Sequence, residues 1–124
     1  MIEKRHYSRK ILNAGARILL CSRTPNRLEE GRAMVRNISP NGALISDVEL
    51  PIPFPPLTNL DLAVIIEEGT LRGINITCSI ARRADTDNGQ ISLGLKIDKI
   101  GEKHLSKIWA FVSPYNPLHN AMCQ

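Results

Sequence analysis

Aromatic residues are scarce in this sequence: two Phe, two Tyr and one Trp, 4% of 124 residues. Sites for single-stranded RNA or DNA usually stack bases on exposed rings, so this scarcity weakens such a reading. Cysteine is nearly as rare. Cys21, Cys78 and Cys123 form an odd set without a CxxC pair, which argues against a disulfide framework or a zinc knuckle and for a reducing, cytoplasmic setting. The three histidines, His6, His104 and His119, are too scattered for a metal-ligand motif, and no HExxH occurs. Neither GxxxxGK[ST] nor a GxGxxG after a strand is present, which disfavours nucleotide-triphosphate hydrolysis. No apolar run has the length of a membrane span or follows the basic start as a signal peptide would, so a soluble protein without membrane insertion is expected.

What is present suits one compact globular domain. Hydrophobic residues make up 43% and charged residues 23%, and a chain of this length buries about two-thirds of its unfolded surface, enough to fold without a metal or disulfide. Net charge is +4 and unevenly spread. Residues 1–36 carry nine basic and three acidic residues, whereas residues 37–124 carry seven and nine, so the anion-seeking surface is expected to be N-terminal.

The pattern along the chain is that of short strands. Residues 1–14, opening with the polar and basic MIEKRHYSRK, read as a flexible arm. The apolar run Ala16 to Cys21 predicts a first strand, Gly31 to Ile38 a second, and Gly42 to Ser46 a third after the turn residues Ser39, Pro40, Asn41 and Gly42. Four prolines between Pro51 and Pro56 predict an extended surface connection. Strict alternation then marks three further strands, with Leu60, Leu62, Val64 and Ile66, then Ile74, Ile76, Cys78 and Ile80, then Ile91, Leu93, Leu95 and Ile97 each sharing one face. Glu67, Glu68 and Gly69 turn the chain after the first of these, and DTDNG joins the other two as a hairpin. Six strands with one apolar face each predict an antiparallel sheet closed, or nearly closed, into a barrel. Leu105, Ile108, Trp109 and Val112 follow helical spacing, so residues 102–113 should form one amphipathic helix packed on the barrel, stopped by Pro114 and Pro117. The chain is thus expected to be all-β with a C-terminal helix: an arm over 1–14, a barrel with its closing helix over 15–113, and a tail over 114–124.

Nothing in it assembles a catalytic centre, and the chain is not expected to be an enzyme. The pairs Glu29–Glu30 and Glu67–Glu68 fall in predicted turns and read as solvated charge, His104 as an exposed helix residue, Cys78 as a buried small hydrophobe and Trp109 as core.

Two elements carry chemistry. In RHYSRK, Arg5 and Arg9 stand four apart, flanked by Lys4, His6 and Lys10. A guanidinium makes planar, bidentate hydrogen bonds to phosphate oxygens or to O6 and N7 of guanine. In NISPNG, at the junction of two predicted strands, Asn37 and Ser39 donate and accept hydrogen bonds, and Gly42 lets the backbone approach a ligand or take a positive φ. Each alone is ordinary, a solvated basic tail and a common turn. Together and in this order they resemble the signature of the PilZ domain family, RxxxR followed by [D/N]xSxxG, with Arg5, Arg9, Asn37, Ser39 and Gly42 in all five places. The strand order, the segment Ser92-Leu93-Gly94-Leu95-Lys96-Ile97 and the closing helix also look like the family. Asn37 stands where Asp is commoner, Ile97 where Phe is frequent and Asn41 where Gly is frequent. The resemblance implies a six-stranded antiparallel PilZ-type β-barrel in a bacterial cytoplasmic receptor for the second messenger cyclic di-GMP, with no further cofactor. It implies that Arg5 and Arg9 clamp phosphate or guanine edges, that Asn37 and Ser39 contact guanine and backbone, that Gly42 leaves room, and that Lys4, His6 and Lys10 are auxiliaries. Ligand would draw the arm onto the barrel and change the surface offered to an unidentified protein partner. Two alternatives remain: a PilZ-like adaptor for motility, pilus or polysaccharide machinery that has lost the nucleotide, and a small barrel binding RNA or DNA through its N-terminal positive field, although no nucleic acid polymer is the expected partner.

Overall fold

A computed structural model describes residues 9–23, 26–51 and 60–113. Six strands follow in chain order, β1 (Lys10–Arg23), β2 (Asn26–Ser39), β3 (Gly42–Glu49), β4 (Leu60–Ile66), β5 (Asn75–Asp85) and β6 (Ile91–Ile100), and then one helix, α1 (Glu102–Val112). Every pairing is antiparallel, and the spatial order β1-β2-β3-β6-β5-β4 closes through a β4–β1 ladder into a barrel. Closure leaves no free sheet edge.

Alternation builds the core. In β4, Leu60, Leu62, Val64 and Ile66 are buried while Asp61, Ala63 and Ile65 are not fully so. Ala14, Ala16, Ile18 and Leu20 of β1 face them, and Ile45, Leu93 and Cys78 fill the barrel from the other side. Ile108 and Val112 of α1, one turn apart, pack into this core, and Leu105 is half-buried beside them. Trp109 departs from the expectation of core: it is 43% exposed. One residue beyond Ile108 is about 100° around a helix, and the stripe that meets the barrel is narrow enough to leave Trp109 on its flank.

The first two strands are longer than the apolar runs that announced them. β1 starts at Lys10, inside the stretch read as arm, because pairing with β2 continues through Ile11↔Asn37 and Lys10↔Ile38. Alternation is lost there at a bulge between Ile11 and Ala14, where Asn13 takes φ 52°. Asp47 of β3 takes φ 53°. Asn and Asp are the side chains that best tolerate this left-handed region. Arg36 of β2 ties both irregularities together, its guanidinium donating to Asp47 Oδ2 at 2.7 Å, Ser46 Oγ at 2.6 Å and Asn13 Oδ1 at 3.3 Å.

The acidic pairs also differ from expectation. Glu29 and Glu30 lie within β2, not in a turn. Glu67 reaches Arg32 at 2.9 Å and Arg17 at 3.9 Å, and Glu68 Oε1 accepts the Gly15 N–H at 2.7 Å. The β4–β5 turn is therefore fastened to β1 and β2 by its own carboxylates and by the Glu67 N–H donating to the Gly15 carbonyl at 2.9 Å. Most of the proline-rich connection and the 114–124 tail lie outside the described residues.

Candidate functional site

The β2–β3 turn puts three of the motif residues on one hairpin. Ser39 pairs with Gly42, and the Ser39 Oγ, 1% exposed, donates to Asn41 Oδ1 at 2.7 Å within the turn. The hydroxyl thus braces the turn and keeps acceptor capacity. Gly42 has an ordinary φ, so its need is steric: a Cβ there would lie 2.7 Å from the Leu95 carbonyl oxygen of β6. What approaches Gly42 in the fold is the neighbouring strand, held further by the Ile97 N–H donating to the Asn41 carbonyl at 3.0 Å. The Asn37 Oδ1 is buried and accepts no hydrogen bond from the described residues, a costly state for a polar atom that asks for a donor.

Register brings the second element beside the first. Ile11 pairs with Asn37 and Lys10 with Ile38. Arg9, exposed, is the residue just before this ladder, so the second arginine of RxxxR stands next to the strand that runs into the turn carrying NxSxxG. Arg5, Lys4 and His6 lie outside the described residues. Lys10 turns away from this face: it pairs with the inward Ile38, and its Nζ sits 4.6 Å from the centroid of the Phe111 ring on α1, a cation–π contact.

The same register extends across the barrel. Ile11, Asn37, Leu44 and Gly94 are successive cross-strand partners, and Gly94 pairs with Arg82. One step along, Ser39, Gly42, Lys96 and Ser79 form a second row. The strands of this face alternate about the buried Ile38, Ala43, Leu93 and Leu95; in the rows between them Arg82 and Lys96 are exposed, Asn37 and Leu44 half-buried, and Ser39, Gly42 and Gly94 covered. Arg82, Gly94 and Lys96 therefore join the motif on one outer face. Sequence reading marked Gly94 and Lys96 only as part of a family-like strand segment and gave none of the three a site role, since they lie more than forty residues after Asn37 and only the register relates them.

Other candidate chemistry is accounted for by structure. Burial pushes the Cys78 thiol up to about 12, with the nearby Asp98 carboxylate adding to the shift, so the buried-hydrophobe reading of Cys78 holds. His104 is half-buried, not exposed, and its Nδ1 accepts the Asn75 N–H at 3.2 Å.

The PilZ domain family model matches residues 3–113. The chain belongs to the PilZ domain family. No curated protein matches it. Among solved structures, the PilZ fold is similar to the Bacillus subtilis inhibitor of motility, MotI/DgrA, with a TM-score of 0.63 and 15% identity over 99% of this chain and 53% of that one. The chain thus spans about half the length of that neighbour. It is also similar to the PilZ domain of YcgR from Escherichia coli, solved with c-di-GMP, with a TM-score of 0.52 and 11% identity over 98% of each. At these identities the likeness shows the fold, a closed six-stranded PilZ barrel with one C-terminal helix. The family is one of cyclic di-GMP receptors, and no helix of the described residues is long and apolar enough to cross a membrane.

Proposed function

We propose that this PilZ domain binds cyclic di-GMP on the outer face around Asn37, Ser39 and Gly42, with Arg5 and Arg9 closing over the ligand from the segment that precedes β1. The observation that carries this reading is that all five signature residues are present and that Arg9, the second arginine of the motif, directly precedes the Lys10↔Ile38 pairing at the turn. Cyclic di-GMP carries two phosphates and two guanines. Both take bidentate guanidinium contacts, and an N–H of the ligand would answer the unpaired Asn37 oxygen. That the YcgR PilZ domain was solved with this nucleotide supports the choice of ligand. The protein then works as a cytoplasmic receptor. Ligand contacts available only with the segment closed shift the equilibrium toward that state, and the altered surface is read by a protein partner.

Isothermal titration calorimetry with cyclic di-GMP tests this, with GTP and cyclic di-AMP as controls and Arg5→Ala and Arg9→Ala alongside. Guanine-selective binding lost in both variants supports the receptor. Retained affinity in both variants would sink the clamp. Absence of binding would favour a nucleotide-independent adaptor, a reading to which the fold likeness with an inhibitor of motility lends support. Amide exchange of residues 1–9 with and without ligand checks the closing step, which fails if their protection is unchanged.

A further inference from the structure

Among the described residues, Arg82 is the arginine whose cross-strand partner is a glycine, Gly94. A Cβ on Gly94 would meet its Cγ and Nε at 2.9 Å each, both too close for a real contact, and its Cδ at 3.5 Å. The bare backbone of Gly94 is what lets the side chain cross β6 at sheet level, carrying the guanidinium out over that strand. Gly94 is buried as a result while Arg82 stays exposed. The next residue, Arg83, is spent on Asp85 through two hydrogen bonds of 2.8 and 3.1 Å. Arg82 makes no ion pair or hydrogen bond with the described residues, and the cross-strand row leads from it through Gly94 and Leu44 to Asn37. From β6 to β2 is two strand spacings, about 10 Å. An unpaired guanidinium carried over the strand two places from the one that bears the buried, unpaired Asn37 amide oxygen is a second polar anchor on the same face.

We infer that Arg82 is a third ligand arginine, acting from the barrel side opposite the N-terminal pair and gripping a phosphate or the O6/N7 edge of the distal guanine. The inference rests on the proposed cyclic di-GMP reading and deepens it, since the signature motif assigns nothing to β5. A planar guanidinium matches those two acceptors bidentately and an ammonium does not, so the side chain would select as well as hold.

The test is calorimetry with cyclic di-GMP on the 124-residue protein and on Arg82→Ala, Arg82→Lys, Gly94→Ala and Arg72→Ala, each checked by thermal unfolding. Arg82→Ala is expected to weaken binding at least tenfold without lowering the unfolding temperature, and Arg82→Lys to recover only part of the loss. Gly94→Ala should also weaken binding, by displacing Arg82. Arg72, exposed in the β4–β5 turn and part of neither cross-strand row, should change affinity less than twofold. The Arg82 15N Nε resonance, identified by its loss in Arg82→Lys, should move on titration, which a merely structural role would not produce. If the wild type binds and Arg82→Ala stays within twofold of it, the inference is wrong and the receptor reading stands. If the wild type does not bind, both fall together.

Discussion

Cations on the two sides of this barrel lead different lives. Over β1, β2 and the β4–β5 turn, Arg17 meets Glu30 at 3.8 Å and Glu67 at 3.9 Å, Arg32 meets Glu67 at 2.9 Å, and Arg36 meets Asp47 at 2.7 Å. Across the face spanned by Asn37, Gly42 and Gly94, the basic groups Arg9, Lys96 and Arg82 make no ion pair with the described residues, and Asp98, two residues after Lys96 on β6, accepts the Ser79 hydroxyl at 3.3 Å. The N-terminal excess of positive charge is therefore not all available to an anion. Three of its arginines hold strands together, and what remains for a ligand is set by which carboxylates the fold brings near.

The sharpest break in this contrast comes from the turn itself. Gly42→Ala puts a methyl group against the Leu95 carbonyl at 2.7 Å, and backbone on both sides has little room to move. The expected cost is about 1–3 kcal/mol of stability, read as a lower urea midpoint with an unchanged slope. Affinity for cyclic di-GMP should fall with it. Unchanged stability would mean that β3 and β6 are not in contact as described. Arg9→Ala should do the reverse, weakening cyclic di-GMP by about tenfold to a hundredfold, as loss of a charge-assisted hydrogen bond worth about 1.5–3 kcal/mol implies, with the urea midpoint unmoved. Arg36→Ala sharpens the comparison from the other side. It removes three hydrogen bonds and releases the two left-handed residues Asn13 and Asp47. Its guanidinium is more than a third exposed, so the loss is expected near 1 kcal/mol after screening, seen as a lower midpoint.

A pH titration separates core from surface. The Cys78 pKa is raised from 9.0 to about 12 by burial, so between those values the unfolded chain gives up a proton that the folded chain retains. Stability from this group is complete below pH 9 and is lost as pH rises towards 12. Cys78→Ser or Cys78→Ala should flatten that decline in urea-melt free energies. An identical slope in wild type and variant would show that other groups carry it.

How much of this was legible beforehand depends on whether local pattern or pairing decides a residue's place. β4, β5 and β6 announced themselves because Leu60 to Ile66, Ile74 to Ile80 and Ile91 to Ile97 alternate without interruption. The extension of β1 to Lys10 did not, since a bulge at Asn13 breaks the period and only pairing with Asn37 and Ile38 makes that segment a strand. Glu67 and Glu68 looked like solvated turn charge because their partners Arg32, Arg17 and Gly15 come from strands whose position no local signal gives. The site divides in the same way. The spacing of Arg5, Arg9, Asn37, Ser39 and Gly42 is written in the chain, while the alignment of Gly94 and Arg82 with Asn37 is a consequence of the β3–β6–β5 register.

The smallest expected effect concerns the paired side. Arg32 is 66% exposed and its partner Glu67 33%, so the 2.9 Å contact is a surface ion pair, worth at most about 0.5–1 kcal/mol. Glu67 also keeps Arg17 within 3.9 Å, and the turn is still held by the Glu68 contact to the Gly15 N–H and by the Glu67 N–H to the Gly15 carbonyl. Arg32→Ala should therefore lower the unfolding temperature by only about 2–4 °C, and by less in high salt, where the wild-type pair is screened as well. Affinity for cyclic di-GMP should not change, although the substitution removes the same unit of positive charge as Arg9→Ala. If binding instead weakened in Arg32→Ala as much as in Arg9→Ala, the ligand would be responding to net charge and not to the unpaired guanidinium groups of one face, and the contrast between the two sides would collapse.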